Sequence, residues 1–300
     1  MIQFRVYAQR GHTASINSAT PVRKLALPSE SSRTKEFSLN TIEEDCSNVT
    51  FLNEKQKEAC QSSTQALHFI SLGAQLGMTE CSHQFKHQRW NCSIIDEDVM
   101  FGRGLQLPTR EKAYLHSVTS AGVTFAVTRA CSNGKMESCS CDDRIHKRRR
   151  ETGSWQWGGC SENINYGVKF SRQFIDAEES MNIWQRHEEL GRKHGKPSAD
   201  SLMNLHNNDA GRRVVRSMME RRCKCHGLSG SCTMQICWRV LPQFRKVSDE
   251  LFERFKRATR VRYMRKKRRL RRFSRMIKRP TRHDLIFLDE SPSYCDKSER

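Results

Sequence analysis

The residues with the greatest capacity for chemistry lie together in the segment RRCKCHGLSGSCTMQICWR, residues 221–239. It contains one histidine, His226, one central serine, Ser229, and four cysteines. The cysteines are Cys223, Cys225, Cys232 and Cys237. Three kinds of site could be built from these side chains: a zinc site of thiolates and imidazole, a serine nucleophile, or a disulfide-locked loop that exposes the serine.

The cysteine spacing fits zinc only loosely. Structural zinc sites usually take two ligand pairs, with about two to four residues between the ligands of a pair. Here the first pair is C-x-C and the second is C-x₄-C. We therefore predict no metal site and no cofactor, and a zinc-stabilised protein stays as the less favoured alternative.

The serine also lacks the surroundings of a catalytic nucleophile. The nucleophile elbow of hydrolases reads G-x-S-x-G, whereas this chain reads Gly227-Leu228-Ser229-Gly230-Ser231, so the last glycine is absent. No strand–turn–helix pattern surrounds the segment, and no histidine and acid can be assigned to it. We predict no catalytic residue and no enzyme.

The third possibility, a disulfide-locked hairpin, fits the segment best. Two glycines, Gly227 and Gly230, permit a tight tip, and an inner cysteine pair (225–232) could nest inside an outer one (223–237). Such a tip presents Leu228, Ser229 and Ser231 to solvent. A serine held in this way is accessible to a modifying enzyme.

The elements that must position this hairpin are predicted to be helices. Hydrophobic residues make up only 36% of the 300 residues, while 13 cysteines offer covalent support. Apolar residues recur at three- and four-residue steps, the spacing of one helix face, in five segments. These run from Leu67 to Phe85, Leu115 to Phe125, Tyr166 to Ala177, Ala210 to Met218 and Phe244 to Phe255. The predicted fold class is mainly α, a disulfide-rich helical bundle with cysteine-stapled β-hairpins.

The remaining cysteines also have local, paired spacings. The pairs suggested by spacing are Cys46 with Cys60, Cys81 with Cys92, Cys131 with Cys139, and Cys141 with Cys160. Cys295 is then left unpaired near the chain end. Two glycosylation sequons, at Asn48 and Asn91, agree with passage through the secretory pathway. We therefore predict a secreted protein of the extracellular space and matrix, although no signal peptide is visible in residues 1–36.

A strongly basic tract dominates the charge of the chain. The formal net charge is +20, and residues 254–282 contain sixteen lysines or arginines and no acid. This predicts a polyanionic partner, heparan sulfate in a secreted protein, bound through salt-sensitive ion pairs. The predicted contacts are Arg265, Lys266, Lys267, Arg268, Arg269, Arg271 and Arg272. The alternative is a basic, zinc-stabilised nucleic-acid-binding protein, but the tract has few aromatic residues and no recognised nucleic-acid motif, so we predict no nucleic-acid partner.

Several motifs resemble those of one family. CKCHGLSGSC followed by CW resembles the signature of the Wnt family of secreted glycolipoproteins, and ECSHQFKHQRWNCS, SAGVTFAVTRACSNG, WQWGGCSENINYGVKFSRQFIDA, LMNLHNNDAGRRVV and DLIFLDESPSYC agree with it in order. The resemblance runs from about Cys46 to Cys295.

The resemblance implies a function for the hairpin. In Wnts the serine matching Ser229 carries a palmitoleoyl ester, added by the acyltransferase Porcupine, and the acyl chain binds the cysteine-rich domain of Frizzled receptors. The expected receptor-facing residues around it are His226, Gly227, Leu228, Gly230 and Ser231. A carrier (Wntless), an LDL-receptor-related co-receptor and heparan sulfate proteoglycans are the other implied partners. The implied output is Wnt signalling in development and cell-fate control.

The resemblance also implies covalent structure and domain organisation. The bridges expected from it are Cys81–Cys92, Cys131–Cys139, Cys141–Cys160, Cys223–Cys237 and Cys225–Cys232, with Asn91 as a family glycosylation position. The expected domains are a disordered or non-family leader (1–40), a helical domain bearing the hairpin (41–252), a basic linker (253–283) and the start of a C-terminal cysteine-rich domain (284–300). Because Wnts continue past the position of Cys295, that domain is expected to be largely missing, and a truncated or antagonistic Wnt form is the alternative function.

Overall fold

The computed structural model describes residues 52–61, 65–90, 92, 107–144, 155–188 and 198–294, with only the backbone described at 181–188. These residues belong to a compact unit that begins at Asn40. The described part includes the helices α1 (Glu54–Gln61), α2 (Ala66–Gln84), α3 (Arg110–Ser132), α4 (Ile164–Glu188), α5 (Ala199–Ser217) and α6 (Phe244–Lys256). Its strands are β1 (Trp155–Trp157), β2 (Glu220–Cys225), β3 (Gln235–Val240), β4 (Thr259–Met264), β5 (Arg269–Arg272) and β6 (Ile286–Phe287).

The five apolar stripes of the sequence lie on α2, α3, α4, α5 and α6, and the mainly α, disulfide-rich fold class is confirmed. Helix α3 is the central element, buried along most of its length and packed against α2, α4, α5 and α6. Its approach to α2 requires glycine: a Cβ on Gly122 would meet the carbonyl oxygen of Gly73. The two backbones therefore touch with no side chain between them.

An aromatic cluster fixes α6 to α2 and α3. The ring of Phe85, at the end of α2, makes edge-to-face contacts with Tyr114, Phe252 and Phe255 at centroid distances of 5.0, 5.3 and 4.9 Å. The buried Tyr114 hydroxyl lies 3.1 Å from the Ser248 hydroxyl. Burial raises the pKa of Tyr114 above its usual range, so the phenol stays protonated and can donate this bond.

A buried ion pair joins α3, α4 and α5. The Arg212 guanidinium, 1% exposed, donates to both carboxylate oxygens of Asp176 at 3.0 and 2.8 Å. It also donates to the Ser120 hydroxyl on α3, and Asn208 donates to Asp176 at 3.0 Å. Because α5 leads directly into β2, this network fixes the helix that carries the hairpin.

The segment predicted as a basic linker, residues 253–283, contains regular structure instead. It completes α6 and forms the antiparallel pair β4–β5, with Val261 opposite Arg272 and Met264 opposite Arg269. The periodicity explains the difference: Val261, Tyr263 and Leu270 are buried or half-buried while Arg262, Arg269 and Arg271 are exposed, which is the alternation of a half-buried strand. The tract is therefore a basic hairpin on the body of the protein.

The chain beyond this hairpin also packs on the helical body. Strand β6 runs parallel to β4, which makes the sheet order β5-β4-β6. The Asn207 side chain on α5 bonds both backbone groups of Ile286, donating at 2.9 Å and accepting at 3.0 Å. Met203, Val261, Ile286 and Phe287 form a separate buried cluster beneath the sheet.

Several predictions fall on residues outside the described part: the leader 1–40, Cys46, Asn48, Asn91 and Cys295. Cys60 is disulfide-bonded, and its pairing with Cys46 stays a prediction. Among the described helices, a search for a stretch long and apolar enough to cross a membrane finds none.

Candidate functional site

The segment singled out in the sequence is a hairpin of β2 and β3. Its strands pair antiparallel, with Glu220 opposite Val240 and Cys225 opposite Gln235. Cys223 and Cys237 are directly opposed, with Cα atoms 4.0 Å apart, and a disulfide joins them. A second disulfide, Cys225–Cys232, closes the loop above the last strand pair. Both arms are thus covalently locked just below the tip.

The tip itself is held by four backbone hydrogen bonds. His226 N donates to Met234 O at 2.7 Å and Gly227 N to Ser231 O at 2.9 Å, which extend the ladder past the strands. Gly230 N and Ser231 N then donate to Gly227 O and Leu228 O, at 3.0 and 3.1 Å. The result is a short 3₁₀ turn over Leu228–Gly230. With its backbone polar groups paired locally, the tip needs no contact with the body.

The two glycines of the tip are required for different reasons. A Cβ on Gly227 would lie 2.6 Å from the backbone carbonyl oxygen of Ser231 and would also overlap the hydroxyls of Ser231 and Thr233, so this position has no room for a side chain. Gly230 has open space around it but a φ of +77°, a left-handed conformation that L side chains rarely adopt. The spacing predicted that these glycines permit a tight tip, and the structure gives the physical reason for glycine at each position.

Ser229 has an unusual backbone conformation. Its φ and ψ are 56° and 27°, left-handed for a residue that is not glycine. Such a conformation costs about 1 kcal/mol or more, and it occurs often at functional positions. Two consecutive left-handed residues, Ser229 and Gly230, reverse the chain at the tip. Ser229 is exposed, and its neighbour Leu228 is 93% exposed.

The half of β3 nearest the tip is supported by a strand that was not predicted from the sequence. Strand β1 runs parallel to β3, with Trp155 opposite Gln235. The guanidinium of Arg221 lies 4.9 Å from the Trp155 ring centre, and that of Arg239 lies 6.0 Å from Trp157. The alternating WQW triplet beside a cysteine is the sequence signal that could have indicated this strand.

A buried glutamate ties the end of β3 to the helical body. Glu162 accepts from the backbone N–H of Leu241 and forms an ion pair of 2.6 Å with Arg129 on α3. Burial raises the pKa of Glu162, while the Leu241 bond and the Arg129 charge oppose that rise. The hairpin therefore projects from a fixed base.

The chemistry available at the tip is that of an accessible hydroxyl. In the part of the chain that the structure describes, no hydrogen bond joins the Ser229 hydroxyl to a histidine or a carboxylate, so no base is positioned to activate it. All four cysteines of the hairpin form disulfides, and disulfide-bonded sulfurs are not the thiolates that zinc requires. A search of the described residues finds no metal-binding cluster.

The remaining bridges support the loops around the hairpin. The structure contains Cys81–Cys92, Cys131–Cys139 and Cys141–Cys160, so all five pairings implied by the family resemblance are present. Cys141–Cys160 lies just after β1, and the Asp142 N–H donates to Ser161 O at 2.8 Å. Together they hold residues 141–142 against residues 160–161, which follow β1.

The predicted polyanion contacts lie together on the β4–β5 hairpin. Arg265, Lys266 and Lys267 form its 3₁₀ turn, Arg268 is left-handed with a φ of 48°, and Arg269, Arg271 and Arg272 lie on β5. All seven side chains are exposed. A groove of about 380 Å³ follows β5, lined by His206, Pro280, three of these arginines and Arg279. The structure thus places the basic residues on one surface.

Comparison with known proteins now decides the family. The model of the Wnt family matches residues 48–300, most of the chain. The chain belongs to the Wnt family. Wnt family proteins are secreted signalling ligands without a cofactor and are not enzymes, so this chain is a Wnt-type ligand.

A solved Wnt structure agrees with this assignment. A chain of the complex of human WLS with WNT8A is 37% identical, with a TM-score of 0.53, over 76% of this Wnt and 69% of that chain. The N-terminal domain and linker of Drosophila WntD is 18% identical, with a TM-score of 0.49, over 77% of this Wnt and 98% of that chain.

Proposed function

We propose that this Wnt is a secreted ligand that binds Frizzled receptors through an acyl ester on Ser229 and activates Wnt signalling in development and cell-fate control. The observation that carries the proposal is the position of Ser229, exposed at the tip of a doubly cross-linked hairpin. A long acyl chain attached there is free of the body of the protein. It can enter a groove on a second molecule without any rearrangement of the ligand.

The rigidity of the hairpin is what makes one lipid an effective contact. Binding through a mobile segment loses free energy when that segment becomes ordered. Here two disulfides and the backbone bonds of the tip have already ordered it. The receptor-facing residues proposed around the lipid are His226, Gly227, Leu228, Gly230 and Ser231, of which Leu228 offers an apolar side chain directly beside the ester.

The partners proposed for this chain follow from the same lipid. Porcupine would esterify Ser229 in the endoplasmic reticulum, and Wntless would shield the acyl chain during export. The solved complex of WNT8A with WLS (Wntless) supports Wntless as a proposed partner. An LDL-receptor-related protein is the proposed co-receptor, and Asn91 and Asn48 are the proposed glycan sites.

We expect the proposed function to depend on the acyltransferase of the producing cell. A Frizzled cysteine-rich domain immobilised on beads should capture the protein secreted by cells that contain Porcupine. It should capture almost none when Porcupine is deleted, because the free hydroxyl offers no apolar surface to the groove. Blotting equal amounts of non-reduced, folded protein from both sources measures this, and equal capture from the two would contradict the proposal.

The basic hairpin is proposed to bind heparan sulfate. Its turn and outer strand carry seven exposed cations, Arg265 to Arg269, Arg271 and Arg272, and no acidic residue intervenes. A sulfated polysaccharide is a linear array of anions, and a row of guanidinium and ammonium groups on a projecting hairpin complements it. The groove beside β5 adds Arg279 to that row.

Charge removal at this hairpin should weaken heparin binding. Replacing Lys266 and Lys267 together with glutamine should lower heparin affinity about tenfold at low salt, because each exposed ion pair contributes up to about 1 kcal/mol. The difference should shrink as salt rises. Elution from a heparin column and titration calorimetry measure both effects.

A matched variant tests whether the position of the charge matters. Replacing Lys86 and Arg89 with glutamine removes the same charge from another exposed turn. Equal loss of affinity in the two double variants would show that only net charge acts and would contradict a site on the basic hairpin.

A further inference from the structure

The loop after β5 exposes apolar side chains that neither the receptor nor the polysaccharide proposal uses. Met276 is 94% exposed, and Phe273, three residues earlier, is 46% exposed. Single exposed hydrophobic residues are common on protein surfaces, so the loop is informative because two of them, Phe273 and Met276, lie within one short segment.

This loop, residues 273–279, is held in one shape. Ile277 N donates to Ser274 O at 3.3 Å, and Met276 N lies 3.3 Å from the Ser274 hydroxyl. The Arg272 guanidinium donates to Ile277 O at 3.1 Å. At the other end the Arg260 guanidinium lies 4.4 Å from the Phe273 ring centre. Met276 is therefore presented at the corner of a fixed turn.

Cations flank the projecting methionine along the chain. Residues 271–282 contain six lysines or arginines and no acid: Arg271, Arg272, Arg275, Lys278, Arg279 and Arg282. All six are exposed. An exposed apolar side chain flanked by exposed cations has the chemistry of a membrane interface, where apolar side chains enter the acyl boundary while lysine and arginine contact lipid phosphates.

We propose that the 273–279 loop is a membrane-binding site, in which Met276 inserts into the interface of a phospholipid bilayer and the surrounding cations bind lipid phosphates. A sulfated polysaccharide does not account for the loop, because it offers anions but no apolar phase. The loop and a lipid on Ser229 are independent. When both are present they supply two membrane signals, and a single acyl chain alone gives only marginal, reversible membrane attachment.

The test uses the full chain carrying Ser229→Ala, so that no acyl chain contributes to membrane binding. This protein should bind vesicles of phosphatidylcholine and phosphatidylserine in a sedimentation assay. Adding Met276→Ser should weaken that binding about tenfold, because the interfacial burial of a large apolar side chain is lost. Its elution from heparin should not change, since no charge is removed.

A second exposed apolar residue provides the control. Leu72 on α2 is 39% exposed and lies outside the basic tract, so Leu72→Ser should leave vesicle binding unchanged. The proposal is overturned if the parent does not bind vesicles, if Met276→Ser binds them as tightly as its parent, or if Leu72→Ser loses as much. Because the assay contains no acyl chain, its outcome does not depend on whether Ser229 is acylated.

Discussion

Replacing Ser229 with alanine is expected to lower affinity for a Frizzled cysteine-rich domain by about a thousandfold or more. The reason is the size of the apolar surface that one ester would carry. Each buried methylene contributes about 0.8 kcal/mol, so about five of them contribute about 4 kcal/mol, a factor of about a thousand in affinity. The measurement is binding of secreted, detergent-solubilised protein to the immobilised receptor domain.

The neighbouring serine is the matched control. Ser231 is also exposed on the tip, but its φ of −62° is an ordinary extended conformation, and its hydroxyl lies 3.2 Å from that of Thr233. Ser231→Ala should retain receptor affinity to within about threefold, since a neutral surface hydrogen bond contributes about 0.5 kcal/mol or a little more. Similar losses in the two variants would mean that the shape of the tip, and not a group on Ser229, makes the contact.

Replacing Asp176 with alanine is expected to destabilise the fold by about 3–5 kcal/mol. The substitution leaves the Arg212 guanidinium, 1% exposed, buried without its carboxylate partner, and an unpaired buried charge costs about that much. Because Arg212 also joins α5 to α3 through Ser120, the loss should weaken the packing of the helix that leads into the hairpin. Urea unfolding of the oxidised protein, followed by circular dichroism, measures the change.

An aspartate on the surface of α5 gives the comparison. Asp209 pairs with Arg213 at 2.6 Å and with Arg172 at 3.1 Å, but those two arginines are 33% and 57% exposed. Asp209→Ala should cost less than about 1 kcal/mol. Replacing both Asp176 and Arg212, with leucine and methionine, should recover much of the loss because no buried charge remains. Equal costs for Asp176→Ala and Asp209→Ala would contradict the assigned role of the buried pair.

Much of this structure could be predicted from local patterns in the sequence. The helix positions follow from apolar residues repeated every three or four positions, a signal that depends only on one face of each helix being buried. The disulfides of the hairpin join cysteines that a two-strand register places opposite each other, as with Cys223 and Cys237. In these cases residues close in the chain are also close in space, so their spacing in the sequence predicts the contact.

Long-range contacts were beyond such reasoning. The parallel pairing of Trp155 with Gln235 and the two hydrogen bonds between Asn207 and Ile286 connect residues about eighty positions apart. The basic tract was predicted to be a linker for another reason. Its charge is so high that the alternation of Val261, Tyr263 and Leu270 with arginines was not interpreted as strands. Charge describes the exposed face of a strand, whereas the buried face decides that it is a strand.

Part of the functional site could likewise be predicted from the sequence, and part of it could not. The motif around Ser229 could be located from cysteine and glycine spacing, and its lipid was implied by family resemblance. The left-handed conformation of Ser229 could not be predicted, because residues other than glycine rarely adopt it. The cations and Met276 of the 273–279 loop gained meaning only when the structure showed them exposed on one turn.

The central claim, that Ser229 carries the acyl chain, is tested most directly by mass spectrometry of the secreted protein. Digestion after reduction and alkylation should give a tip peptide heavier by one monounsaturated acyl group. Fragmentation should place that mass on Ser229, and hydroxylamine should remove it as expected of an ester. The same peptide recovered only at its unmodified mass, or with the acyl group on Ser231, would contradict the account.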